Sequence, residues 1–322
     1  MFKHTKTSYH KKFLHNLVFF SRKKVIMSSS DSQLFGFDQS RLVVKKISPR
    51  PQMEGVGAVV RRSIGMHELK NLDPFLMLDE FEVIPPAGFP EHPHRGFETV
   101  TYMLEGASNH QDFAGHKGTI RTGDVQWMTA GRGIVHSEMP AGEGILRGLQ
   151  LWVNLSSKDK MIEPGYQELP KESIPMAEKD GVEVRVIAGK AMGVRSPVYT
   201  RTPTMFIDFT LQPNTEYHQT IPESWNAFVY IVEGEGYFGI PNGKPVPAHN
   251  LLVLGTAGEG LSVWNNSVEP LRFVLAAGEP INEPIVQYGP FVMNTEAEIQ
   301  QTIEDFQYCK NGFENARYWQ AE

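Results

Sequence analysis

His92-Pro93-His94 and, forty-two residues after the second of these histidines, His136-Ser137-Glu138 are the side chains here best suited to chemistry. Each is a pair of metal-ligating residues spaced i, i+2. On a β-strand that spacing turns both side chains to one face. Two such pairs on neighbouring strands can aim four donors at one point. Three imidazoles and one carboxylate suit a divalent first-row transition metal, and iron, manganese, nickel, copper and zinc all fit that set. Glu98 competes with Glu138 for the carboxylate position. If the strand from His92 runs unbroken, alternation puts His92, His94 and Glu98 on one face; Glu138 shares a face with His136 by the same rule. Spacing leaves the two open.

The flanking residues supply the elements such a site needs. The first pair follows a turn-rich run, Pro85-Pro86-Ala87-Gly88-Phe89-Pro90, and precedes Gly96 and a β-prone segment. The second follows a turn at Gly123-Asp124, a strand at Val125-Gln126-Trp127 and a loop at Gly131-Arg132-Gly133. His110 and His116 fall in the Gly- and Asn-containing run 109–118 and read as solvated loop histidines outside the site. Phe97, Trp127 and Met128 read as core or cavity wall. Arg132 between two glycines reads equally as a gate or as an exposed turn residue. Asp79-Glu80-Phe81-Glu82 reads as a solvated strand end.

Short β-rich runs dominate from Arg41 to Leu275, among them Leu42-Val43-Val44, 57–60, 99–104, 148–153 and 182–187. Many short strands separated by turn residues indicate an all-β sandwich or barrel. Near the C-terminus, Thr295-x-x-Glu298 reads as a capping box, and Ile299, Ile303 and Phe306 form a helical stripe that Asn311-Gly312 stops. There is also an internal repeat. Phe97-x-x-Val100-x-Tyr102-x-x-Glu105-Gly106 recurs as Trp225-x-x-Phe228-x-Tyr230-x-x-Glu233-Gly234, at a constant offset of 128 residues. A period of domain length predicts a duplicated β-barrel. At the positions of His92 and His94 the second copy has Thr220 and Pro222, with His218 alone nearby, so one barrel is metal-competent and the other is not. The expected division is 1–39, a basic N-terminal extension; 40–160, the metal-binding barrel; and 161–322, the second barrel with the terminal helix. The linker is expected within 156–181.

The 322 residues carry a net charge of −6. Residues 1–30 hold seven Lys or Arg and no acid, which leaves 24 basic against 37 acidic residues in the remainder. So acidic a body argues against direct nucleic-acid binding. The basic head reads as an unstructured extension, or as sequence upstream of a true start at Met27; an organellar transit peptide is the alternative. No apolar run approaches the ~20 residues of a membrane span. The single cysteine, Cys309, rules out an intramolecular disulfide and a cysteine-rich zinc site.

Over about residues 40–322 the chain resembles the pirin family of the cupin superfamily. The resemblance rests on Asp73-Pro-Phe-Leu-Met-Leu-Asp-Glu-Phe81, His92-Pro-His-Arg-Gly-Phe-Glu-Thr-Val100, the block from Gly123 to Pro140, and Lys310-Asn-Gly-Phe313. It implies a bicupin: two stacked antiparallel β-barrels of jelly-roll type with a short C-terminal helix. It also implies one metal, usually iron as Fe(II)/Fe(III), in the N-terminal barrel. Carried over, the ligands are His92, His94, His136 and Glu138, with Glu98 left as a neighbour. Two activities are implied. One is regulation, as an iron-dependent cofactor of transcription factors or signalling proteins in nucleus and cytoplasm, sensitive to redox state. The other is quercetin 2,3-dioxygenase activity on a flavonol, with Glu138 as ligand and general base. A monomer is expected.

Overall fold

The computed structural model describes residues 39–54 and 57–321. The basic head, 1–38, lies outside them. The described chain is mostly β, arranged as two lobes of two sheets each. The runs expected as strands form the strands Val43–Ile47, Ala58–Ile64, Phe97–Glu105, Leu146–Asn154 and Val182–Ala188.

The first lobe has a seven-stranded antiparallel sheet in the order Gly165–Leu169, Val125–Thr129, Phe97–Glu105, Leu146–Asn154, Phe75–Val83, Ala58–Ile64, Gln52–Glu54. Its four-stranded partner runs Phe89–His94, Ile134–Pro140, Ala107–Asp112, Lys117–Arg121. The second lobe repeats this plan. Seven strands run Val43–Ile47, Leu251–Leu254, Asn226–Glu233, Leu271–Gly278, Thr204–Leu211, Val182–Ala188, Met176–Lys179. Four more run Thr215–Thr220, Gly260–Asn265, Glu235–Phe238, Val246–Pro247. Each lobe is a jelly-roll sandwich of two sheets rather than one sheet closed into a barrel.

The sheets do not divide at 160/161. Val43–Ile47 pairs with Leu251–Leu254 in the second lobe, and Gly165–Leu169 pairs with Val125–Thr129 in the first. Each lobe therefore holds an edge strand that the sequence places on the other side of the boundary. Edge strands find partners wherever unpaired N–H and C=O groups are available. Sequence order does not specify which sheet that is.

The two large sheets face each other across a shared core. Val100, Tyr102, Trp127, Leu149 and Leu151 pack with Phe206, Phe228, Tyr230 and Val274 in one buried cluster. Polar bonds at repeat-related positions cross this interface. Tyr102 donates to Asp208 at 2.7 Å, and Tyr230 donates to Glu80 at 2.8 Å. Tyr102 and Tyr230 are 128 residues apart, and so are Glu80 and Asp208. Arg272 also bonds Asp208 at 2.9 Å, while Arg147 and His249 reach Glu80 at 3.3 and 2.6 Å. The expectation of a solvated end at 79–82 is thus corrected. Asp79 and Glu80 are buried in mid-strand, because cations and hydroxyls from Arg62 and from the other lobe satisfy them. A hydrogen bond to a charged group is worth about 1.5–3 kcal/mol, which offsets part of their desolvation.

The C-terminal helix spans Glu296–Gln307, with Thr295 and Glu298 forming the expected capping box. It ends four residues before Asn311, short of the expected stop. Although it follows the second lobe, it covers the first. Val135 packs with Phe291, Met293, Ile299 and Phe313, and the buried Arg95 pairs with Asp305 at 2.8 Å.

Candidate metal centre

Phe89–His94 and Ile134–Pro140 are adjacent antiparallel strands, with His136 opposite His92 and Ile134 opposite His94. Alternation then brings the three imidazoles to one side of the small sheet, into the lobe. Ring centroids lie 4.3 Å (His92–His136), 4.8 Å (His92–His94) and 5.0 Å (His94–His136) apart. One nitrogen from each ring lies within 4.8 Å of those from the other two.

The hydrogen bonds of these rings fit a metal. His92 donates from Nδ1 to the Pro90 carbonyl at 2.7 Å, which leaves Nε2 as its lone-pair nitrogen. His94 Nδ1 and both nitrogens of His136 are buried without a hydrogen-bond partner. An unsatisfied buried polar atom costs about 1–3 kcal/mol, and an ion held between the rings would satisfy one nitrogen of each. Burial holds His94 and His136 well below the usual imidazole range, and His92 lowers both further. They are therefore neutral near pH 7, the form that binds a cation. Trp152 and Phe97 meet the His94 ring edge-on at 5.4 and 5.3 Å and fix its orientation.

Glu138 lies on the same strand as His136 and lines the same cavity, but outside the tight cluster of ligand atoms. A β-bulge follows His136, so Glu138 stands opposite Phe89 rather than two residues along in register. Its Oε1 accepts from Thr101 at 3.3 Å, and Thr101 also lies 3.1 Å from Gln150. The structure thus assembles three of the four expected ligands and sets the fourth beside them.

Glu98 is placed elsewhere. The strand from His92 ends at His94, and Gly96, at φ 90°, starts the chain toward the other sheet. A Cβ at Gly96 would meet the Val292 carbonyl at 1.9 Å, so the turn needs glycine. Beyond it, Glu98 shares a face with Val100 and Tyr102, toward the second lobe. Trp127 and Thr129 donate to its two oxygens at 2.9 and 2.7 Å. Trp127 and Met128 are buried core. Arg132 does not line the cavity; it is partly exposed and pairs with Glu163 at 2.9 Å.

The cavity itself has a volume of about 1280 Å³ and opens onto His92, His94 and Glu138. Leu76, Met77, Phe89 and Trp152 give it apolar walls.

Two histidines read as solvated and outside any site, of which only His116 lies in the hairpin loop, belong to a second cluster. His110 lies on the strand Ala107–Asp112 and is buried, and His116 follows the turn after it. Both approach Glu168, at 2.8 and 3.1 Å. The signal missed was the alternation Ser108, His110, Asp112, three inward polar residues on one strand.

The Pirin family model matches residues 57–153, and the Pirin C-terminal cupin domain model matches 206–312. A pirin-like protein of Solanum lycopersicum is 71% identical over 89% of this chain and 98% of its own length. Pirin of Homo sapiens is 54% identical over 88% of this chain and 98% of its own. The crystal structure of a quercetin 2,3-dioxygenase from Acinetobacter baumannii has a TM-score of 0.78 at 34% identity, covering 85% of this chain and 99% of that one.

Proposed function

The chain belongs to the pirin family, and from that premise we propose that its first lobe is a mononuclear iron centre where a flavonol-type phenol meets dioxygen. The observation that carries this is the cavity of about 1280 Å³ opening onto His92, His94 and Glu138. Sites for small molecules are typically ~300–1,000 Å³ and mostly apolar, so a planar tricyclic phenol has room here. Manganese, nickel, copper or zinc would be held by the same donors.

His92, His94 and His136 would hold the metal, with Glu138 as the fourth donor after a rotation away from Thr101. Bound iron would supply a Lewis-acid contact for the phenolate and one-electron chemistry with dioxygen. The chain's own work is then positional. Leu76, Met77, Phe89 and Trp152 grip the rings of the substrate and exclude water. Glu138, at the cavity wall, stands where it can take the proton of a phenolic hydroxyl once it has turned from Thr101. The similarity to a named quercetin 2,3-dioxygenase supports this reading.

The test is turnover of quercetin with dioxygen by protein loaded anaerobically with iron(II). A rate well above that of free iron, falling at least tenfold in Glu138→Ala, is expected. A rate equal to free iron removes the enzyme reading for that substrate.

One observation favours a second reading, regulation through a protein partner. Met53 and Ile84, at 64% and 58% exposure, stand at the rim of the same cavity. An apolar rim beside a redox metal suits a transcription factor or signalling protein, in nucleus or cytoplasm, that distinguishes iron(II) from iron(III). Met53→Ser with Ile84→Ser should then abolish redox-dependent partner binding and spare quercetin turnover. Partner binding indifferent to both the variant and the iron oxidation state would remove this reading.

A further inference from the structure

We propose that His110, His116 and Glu168 form a second, accessory binding site for a divalent transition metal of the zinc class. One ligand atom from each of the three lies within 4.8 Å of the other two. Glu168 Oε1 lies 2.8 Å from His110 Nε2 and 3.1 Å from His116 Nε2. Donors on one zinc ion, each about 2.0–2.1 Å from it, stand roughly that far from one another.

His110 marks this as more than an ion pair. Its ring is buried, and its Nε2 has no properly aligned hydrogen-bond partner even though Glu168 is so near. His116, in contrast, makes an aligned bond to the same oxygen. The misalignment leaves His110 Nε2 open to a cation seated between the two rings and the carboxylate. The surroundings are also built. Gln126 donates to Glu168 Oε1 at 2.9 Å and fixes the carboxylate. Asp112 accepts from the backbone N–H groups of Ala114 and His116 at 2.8 and 2.9 Å, which shapes the turn. Tyr166 stacks on the His116 ring at 4.0 Å and donates to Asp112 at 2.9 Å. A ring and a carboxylate held this way are preorganised, so little conformational freedom is lost on binding.

The site leaves room for water on the metal, since the side chains of His116 and Glu168 are each about one-third exposed. It would also be a clip. Glu168 lies on the exchanged strand that follows the 160/161 boundary, and the histidines lie on the hairpin whose strand pairs with His136–Glu138. This proposal does not depend on iron or on the flavonol reading.

The experiment is titration of the full chain with zinc(II), and with cobalt(II) as a spectroscopic probe, in wild type, His92→Ala/His136→Ala, His116→Ala and Glu168→Gln. Two equivalents are expected in wild type. One is expected in each variant, with cobalt visible bands persisting in the double variant. Circular dichroism checks folding, and Glu168→Gln keeps the shape of the side chain should His116→Ala disturb it. No zinc or cobalt bound by His92→Ala/His136→Ala, or a stoichiometry unchanged from wild type in both His116→Ala and Glu168→Gln, overturns the proposal.

Discussion

The two lobes share one plan and differ in what fills them. In the second lobe the small-sheet strands carry Tyr217, Leu261 and Val263 inward, and Phe209 stacks on Phe273 at 5.0 Å. One continuous apolar cluster occupies that interior. In the first lobe the same strand pair carries His92, His94 and His136. Its apolar packing is broken into smaller clusters with imidazoles and carboxylates between them. Close-packed apolar interiors stabilise, and a cavity lined with unsatisfied polar atoms destabilises. The second lobe is thus packed throughout, the first surrounds a cavity that opens onto His92, His94 and Glu138, and the shared sheet interface joins the two.

The largest expected effect tests that division. His92→Ala with His136→Ala should lose the iron(II) equivalent, read by metal analysis, while the fold persists. His218→Ala should change nothing, because His218 bonds Ser262 at 2.8 Å in a lobe without a ligand cluster among the described residues. Loss of iron in His218→Ala would break the asymmetry.

The next effect concerns the interface. Removing one partner of a buried charge network costs about 3–5 kcal/mol. Asp208→Ala should fall in that range by urea unfolding. Glu80→Ala should cost at least as much, because Arg61, Arg147, His249 and Tyr230 all address it. A negligible cost for both would show that the lobes are not steadied through these pairs.

A pH effect sharpens the picture of the first lobe. Burial lowers Lys160 from an ordinary 10.5 to about 8. Its Nζ reaches the carbonyls of Gly96 and Val292 and the side chain of Asn154 at 2.9, 3.2 and 2.7 Å, tying the turn after His94 to the C-terminal hairpin. Above pH 8 the unfolded chain keeps a proton that the folded chain releases. Lys160 therefore adds stability as pH rises toward 10.5, and adds no slope below 8. The full span is on the order of 3 kcal/mol. Urea midpoints from pH 7 to 9.5 should rise less steeply in Lys160→Met than in wild type. Parallel slopes would contradict this. The smallest effect is at the helix that covers the first lobe, where Thr295→Ala should cost about 1 kcal/mol of stability through loss of the cap.

What the sequence disclosed follows from what is local. The 128-residue repeat and the capping box are contacts within a few residues or copies of one pattern, and the structure shows both; of the i, i+2 pairs, it gathers His92, His94 and His136 on one face. Glu98 leaves the face of His92 and His94 because the strand ends before Gly96, which alternation alone does not reveal. The partners of Glu80 and of His110 lie in strands far away in sequence, so a buried carboxylate read as solvated and a buried strand histidine read as loop. The exchange of edge strands is a further non-local fact, since Val43–Ile47 has no residue pattern specifying which lobe it joins.

The most direct measurement is iron-edge X-ray absorption on the His116→Ala chain loaded anaerobically with one equivalent of iron(II). The account predicts multiple scattering from three imidazoles plus an oxygen shell, with the signature collapsing when His136→Ala is added. A spectrum with one imidazole or none, or one unchanged by His136→Ala, would contradict a metal centre on His92, His94 and His136.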